Sequence, residues 1–444
     1  MPRQGQIWSW ISFDVANQSF TLIINTLLFS IFFSEVVVRT PAIDDRIWAL
    51  TYGTSMLLTA LLSPIAGAAA DARAWKKRCL IGTGLTCSLF TCGLAFIQPG
   101  QIWLAVLLYV PANLAFSIGE NFLASFLPFL GPSNKIGRVS GFSWAISYSS
   151  ALVLLLITAA LMLGLDLRHA DQWRPFFVVA GLWFLVFTIP TLVWLKEPPL
   201  EEAPDAQENI LVAGFSRLRD SLRHVYQYRD LAVLLAASLF YATSMSVVVF
   251  FASKLAAEYG FNQVKLVLFV AVITVSGIFG TILPTLYQDR FGHRRTTVVL
   301  LLVWLATALG FALYAYLHQV YSARGELATF PVWPLWVVGN LLGFGLGALG
   351  TANRAFVGYL APPERTAEAF GLWGLTLKVS AIMTFPFAWV RDTAGTPSAL
   401  LVLAGFLVVG LLLTMMVDEK RGYLAAHPDP WSASPNGLRS NTSM

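Results

Sequence analysis

The chain has 444 residues, 57% of them apolar and only 12% charged, with a mean hydropathy of +0.67. A soluble surface needs roughly 25% charge, so a set of water-soluble domains is excluded and lipid is the solvent for most of the surface. Lys and Arg exceed Asp and Glu by 29 to 24, but in short tufts between apolar runs, which argues against a nucleic-acid partner.

A membrane span needs about 20 mostly apolar residues. The first apolar stretch, from Ile7 to Val38, is too long for a cleavable leader and lacks a small-residue cleavage site, so it is expected to stay as span 1. Further spans centre near residues 58, 87, 115, 151 and 184. Cys79, Cys87 and Cys92 fall within the third; without metal-ligand spacing or an even count they are packing residues. After Leu195 the chain turns charged and proline-containing, and apolar runs resume around residues 243, 275, 307, 345, 379 and 408. The expected fold is therefore an all-α integral membrane protein of twelve transmembrane helices. Residues 1–195 form one six-helix bundle, 196–228 a cytoplasmic linker, 229–418 a second bundle, and 419–444 a tail without expected structure. In the linker, Leu211, Phe215, Leu218, Leu222 and Val225 recur at helical spacing with Arg217, Arg219 and Arg223 between them. An amphipathic helix on the inner membrane face and a plain helical connection fit equally well. Lys and Arg favour the loops on the side of the termini by more than two to one, which puts both termini in the cytoplasm.

The two halves repeat one another. Pro132, Lys135 and Gly141 align with Pro362, Arg365 and Gly371, in the loop after the fourth span of each half. Asp71 with Lys76, Lys77 and Arg78 aligns with Asp289, Arg290, Arg294 and Arg295, in the loop after the second. Parallel six-helix repeats of this kind occur in transporters. The second pair resembles the loop signature of the major facilitator superfamily, with Gly67 opening the first copy and Gly292 the second glycine of the second copy. Ala74 and Thr285 stand where a glycine is expected. An acidic group facing basic side chains at a helix end can form a latch between neighbouring helices; simple solvated charges are the plainer alternative.

The spans carry a closer resemblance. Asp14-Val15-Ala16-Asn17 with Phe20, Asn121 with Leu127 and Pro128, and Gly137-Arg138-Val139-Ser140-Gly141 resemble motifs of one major facilitator branch. Arg354 with Phe356, Pro362-Pro363 and Glu368 through Trp373 continue the likeness in the second half, with Lys378 and Ser380 at positions that are often basic and serine. That branch holds the vacuolar amino-acid effluxers linked to autophagy and many bacterial proteins, and it usually carries an aromatic where this chain has Glu120. The resemblance implies the major facilitator fold, a bacterial inner-membrane location, and amino-acid efflux by alternating access, with protons as a candidate coupling ion. Sugar or drug efflux is the alternative, and a lipid-handling or non-transporting protein that keeps the fold is the alternative of another class.

Polar residues agree with that arrangement. Span 1 carries Asp14, Gln18, Thr21 and Asn25 on one helical face, and span 4 carries Asn113, Ser117 and Glu120 with Asn121 beside them. Span 7 has Ser238, Tyr241 and Ser244; span 10 has Asn340, Thr351 and Arg354. In the major facilitator arrangement spans 1, 4, 7 and 10 line the central cavity. The deepest charges are Asp14, Glu120, Arg354 and Lys378, each costly in lipid by at least about 2.5 kcal/mol. Glu120 should lie roughly 12 Å in, eight residues beyond Pro128, where a carboxyl group could carry a proton. Asp14, Asn17, Gln18, Thr21, Asn113, Glu120, Asn121, Tyr241, Arg354 and Lys378 are thus the expected substrate and proton pathway; buried ion pairs joining the halves are the plainer alternative. Gly339, Gly343, Gly347 and Gly350 in span 10 suit either mobility or tight packing. No phosphate-binding loop occurs, so active transport would draw on an ion or solute gradient. The histidines (His169, His224, His293, His318 and His427) sit in loops or at span ends, and no catalytic cluster, metal or cofactor is expected. The expected partners are a small solute and membrane lipid, and the expected state is a monomer.

Overall fold

The computed structural model describes residues 2–40, 43–130, 133–167, 169–197, 219, 223, 225–362 and 366–427. Among them there is no strand. The first six spans are α1 (residues 2–38), α2 (Asp44–Arg73), α3 (Lys76–Gly93), α4 (Ile102–Ser125), α5 (Ser133–Gly164) and α6 (Arg174–Trp194). The second half opens with α7 (Arg229–Glu258), α8 (Gln263–Phe291), α9 (His293–Ala323) and α10 (Trp333–Leu360). The apolar stretch Ala369–Met416 then runs for 48 residues, about 72 Å as one helix at 1.5 Å per residue, against a hydrocarbon core of roughly 30 Å. It cannot be a single span. Its backbone leaves the helical region at Gly395, φ 82°, ahead of Pro397, and this break separates α11 (residues 366–394) from α12 (residues 396–416). With α1 taken as one bent span and Ala369–Met416 divided at Gly395, the described residues hold twelve spans.

Helix pairing repeats between the halves. In the first, α1 packs on α5 and α6, α3 on α4 and α6, and α2 on α4. In the second, α7 packs on α11, α9 on α10, and α8 on α10, while Phe385–Met416 covers α7 and α9. The halves meet where α5 lies along α8 and α2 along α11.

Helix α1 is not uniform. Phe20–Leu27 and Phe33–Val38 are wound as π-helix, and the axis bends by 40° between Leu27 and Phe29. Such widened turns concentrate at functional sites. Phe29 at the bend is held by rings from three other elements, stacked on Tyr109 at 5.5 Å and edge-on to Trp48 and Phe177.

The loops after the second span of each half turn sharply through left-handed or Gly-favoured backbone. Gly292 takes φ 90° without penalty, while Ala74 takes φ 51°, which costs an alanine about 1–2 kcal/mol. Each half also fastens its own exit. Glu197, just after α6, accepts from the Lys77 backbone N–H at 2.9 Å. Glu419, just after α12, accepts from the backbone N–H groups of His293 and Arg294 at 2.9 and 3.2 Å. Both carboxylates sit where the free N–H groups of a helix start favour negative charge. The tail expected to lack structure from residue 419 instead opens with a helix, α13 (Glu419–Ala426). Asp418 caps it, and Arg421 pairs with Asp230 at 2.7 Å; an N-cap aspartate and a buried acid at the start of α7 supply the reason. The amphipathic segment proposed for the linker falls mostly outside the described residues.

Candidate functional site

A cavity of about 520 Å³ lies between the halves, lined by α1, α4 and α5 on one side and α7, α8, α10 and α11 on the other. Asp14, Asn17, Gln18 and Thr21 line it from α1, Glu120 from α4 and Arg354 from α10. These six were expected there from the sequence. Among the described residues Asp14, Glu120 and Arg354 form no ion pair. Asp14 accepts a hydrogen bond from the Ser143 hydroxyl at 2.8 Å. Among the described residues Glu120 has neither a hydrogen bond nor an ion pair. It is solvent-exposed through the cavity despite its depth, and Lys378 and Asp14 are the charges whose fields act on it. Arg354 is likewise exposed in the cavity, its guanidinium 6.0 Å from the centre of the Phe370 ring. Carboxylates thus belong to the first half and cations to the second, facing across the gap. The rest of the wall is largely apolar, with Trp10, Leu123, Ile273 and Trp373 among its members.

Lys378 stands beside this cavity rather than on its wall. Its ammonium donates to Asn121 Oδ1 at 2.8 Å, and the Asn121 amide donates to Ser63 at 2.9 Å, so the pair ties α11 to α4 and α2. Two expected pathway residues are employed elsewhere. Asn113 is fully buried, accepts from Asn25 at 3.2 Å and donates to Ser55 at 2.6 Å, while Tyr109 donates to Asn25 at 2.7 Å. Tyr241 is 1% exposed and shares a hydrogen bond with Ser238 at 3.0 Å, and Ser238 is bonded to Asn353. Both are corrections to the pathway. Their polar groups pair with one another within a half, as buried groups must, and neither residue lines the cavity. Ser147, Tyr148 and Thr274, which sequence reasoning missed, do line the cavity. Ser147 lies one turn from Ser143, and that spacing was the available signal.

At one end a cluster of charges closes the interface. Lys254 of α7 donates to Asp45 at 2.7 Å and lies 3.5 Å from Asp44, both at the start of α2. Arg391 at the end of α11 pairs with Asp45 and, at 2.8 Å, with Glu258. The Arg46 side chain and backbone N–H both reach Asp392 Oδ2 at 3.0 Å. The Ser253 hydroxyl adds a bond to the backbone carbonyl of Thr26, inside the π-wound stretch of α1. The ion pairs of Lys254 and Arg391 with Asp45, and of Arg46 with Asp392, thus join the halves at the end opposite the Asp71 and Asp289 loops. In the sequence these residues look like ordinary loop charges; the doublets Asp44-Asp45 and Arg391-Asp392 at span ends were the only hint.

The side chains of Asp71 and Asp289 fall outside the described residues, and with them the proposed latch. Around them, Gly67 has no heavy atom near its missing Cβ. Lys76 lies over the Phe129 ring at 5.5 Å, Arg78 over Trp75 at 5.9 Å, and Arg294 donates to the Val417 carbonyl at 3.1 Å. Arg290 is exposed and Arg295 is exposed on the next helix start.

Comparison with known proteins agrees with this architecture. Residues 44–427 match the family described as vacuole effluxer Atg22 like. The uncharacterized MFS-type transporter YxiO of Bacillus subtilis (strain 168) is 23% identical over 93% of this chain and 94% of its own length. Autophagy-related protein 22 of Coccidioides immitis (strain RS) is 24% identical over 84% of this chain and 72% of its own. Among solved structures, the nucleoside transporter NupG superposes with a TM-score of 0.68 over 94% of this chain and 98% of that one, at 12% identity. That likeness carries the fold alone.

Proposed function

Because this chain belongs to the vacuole effluxer Atg22-like family and is a multi-pass membrane transporter of the major facilitator type, we propose that it exports a small zwitterionic solute, an α-amino acid, by alternating access coupled to protons. One observation carries the reading: Asp14 and Glu120 face the cavity from the first half, and Arg354 faces it from the second, none of them in an ion pair among the described residues. Intramembrane charges that face a cavity mark substrate and ion pathways, and a solute that brings both signs compensates them. An ammonium held by the first half and a carboxylate held by the second are gripped together when the halves close. They are released together when the halves part on one side. With both termini in the cytoplasm of a bacterial inner membrane, the charge cluster of Asp45, Lys254 and Arg391 is the outer gate and the Asp71 and Asp289 loops lie inside. In this arrangement Glu120 is the group that takes up and gives back the proton, and Lys378 supports the carboxylate site from behind.

The test is transport by the purified protein in proteoliposomes. Glu120→Gln should keep amino-acid counterflow, which needs no net proton movement, and lose both gradient-driven accumulation and its pH dependence. Full pH-dependent accumulation in that variant would remove Glu120 from the coupling step and leave Asp14 as the next carboxylate to examine. Lys378→Met should weaken binding of carboxylate solutes by at least about tenfold, in line with the ~1.5–3 kcal/mol of a hydrogen bond to a charged group. Unchanged affinity would place Lys378 outside the binding function.

A further inference from the structure

The asparagines of the membrane-spanning helices are bonded through their side chains, with a single exception among the described residues. Asn25 and Asn113 hold each other, Asn121 holds Ser63 and Lys378, Asn340 holds Ser276 and the Trp336 carbonyl, and Asn353 holds Ser238. Asn17 does not follow. It is 2% exposed, and neither its amide nitrogen nor its amide oxygen has a hydrogen-bond partner. Its neighbours are engaged elsewhere: Asp14 takes the Ser143 hydroxyl, and Thr21 donates to the Asn17 backbone carbonyl rather than to the side chain. A buried carboxamide left in this condition costs folding free energy, and a leucine of similar size would avoid the cost. Asn17 forms part of the cavity wall, one turn along α1 from Asp14 and beside Gln18.

We propose that Asn17 is a specificity-determining residue, whose side chain is completed by the main-chain groups of the solute. The inference rests on the reading of the chain as an amino-acid transporter and adds how the solute is recognised. A carboxamide presents an N–H donor and a carbonyl acceptor side by side. Its complement is a ligand with a donor and an acceptor close together, and in an α-amino acid the ammonium and the carboxylate are carried by one carbon. The ammonium donates to Asn17 Oδ1 on the acidic side of the cavity, near Asp14 and Glu120. The carboxylate accepts from Asn17 Nδ2 and faces Arg354. A site that buries an unfilled donor and acceptor discriminates strongly against ligands that cannot fill both.

The experiment pairs thermal unfolding with ligand affinity on the purified full-length protein. The probes are a neutral α-amino acid, its N-acetyl derivative and its carboxamide. Asn17→Leu should raise the unfolding temperature of the ligand-free protein, since two unpaired buried polar atoms are removed. It should also weaken amino-acid binding by tenfold or more and flatten the preference for the amino acid over both derivatives. Asn17→Asp, which keeps the acceptor and replaces the donor with negative charge, should shift preference from the amino acid toward its carboxamide. A lower unfolding temperature or loss of folding in Asn17→Leu would make Asn17 a structural residue and overturn the proposal. So would amino-acid affinity within twofold of the unmodified protein, and in both cases the amino-acid reading would stand. If the unmodified protein binds sugars or nucleosides but no amino acid, the reading itself fails and takes the proposal with it.

Discussion

Replacing Asp45 with Asn strikes the hub of the charge cluster that joins the halves. Asp45 accepts from Lys254 and from Arg391, and the three side chains are only 5%, 5% and 13% accessible. Removing one partner of a buried pair costs about 3–5 kcal/mol, because the remaining charge is left uncompensated. Here Asp44 still lies 3.5 Å from Lys254, and Glu258 still pairs with Arg391, so the remaining partners reduce the cost below that range, to about 2–3 kcal/mol. That cost falls on the state closed at this end; when the halves part there, the same cations meet water. The substitution should therefore shift the equilibrium toward the open state by roughly 30- to 150-fold, at 1.4 kcal/mol per tenfold. Spin labels on Gln98→Cys and Arg324→Cys, in a background without the three native cysteines, would read the distance between halves at this end. The expected result is a longer-distance population in Asp45→Asn that is minor in the parent. An unchanged distance distribution would refute the argument that Asp45 holds this end shut, as would opening at the opposite end.

Two further outcomes follow from packing and from orientation. Gly347→Val places atoms where α10 meets the backbone of Gly277 and Thr281 on α8, each 3.0 Å or less from an added Cβ. Overpacking of this kind should cost about 1–3 kcal/mol or more and lower the unfolding temperature, whereas Gly374→Ala, with nothing within 4 Å, should leave it unchanged. A reporter fused after Met444 and another inserted beside Arg324 should score on opposite sides of the membrane; the same side for both would contradict the orientation.

The spans were legible because lipid demands long apolar helices, and a demand of that kind acts on every residue in the run. Even the division of Ala369–Met416 is marked, by Gly395 and Pro397, where helical backbone is hard to keep. The cavity face of α1 was legible as far as Thr21, since Asp14, Gln18 and Thr21 follow ordinary helical spacing. Asn25 was misplaced because the chain is π-wound from Phe20 to Leu27. A wider turn rotates each residue by less, and Asn25 swings away from the cavity to meet Asn113 and Tyr109. Asn113 and Tyr241 could not be sorted from Gln18 by sequence, because a polar group in a helix says nothing of whether its partner is a neighbouring helix or a solute. The charge cluster was hidden for a similar reason. Asp45, Lys254 and Arg391 come from three separate span ends and acquire meaning only when the halves are docked.

The carboxylates of Glu197 and Glu419 have a consequence for how such a chain could arise and be divided. Each seats the segment leaving the last span of its half onto the start of the third span of the same half. Among the described residues each exit is secured within its own half, on either side of the stretch between Glu197 and Arg219. A gene cut within that stretch would encode two fragments, each with its exit already stitched. An ancestral six-helix unit would have needed only duplication and fusion, with no new fastening invented at the junction.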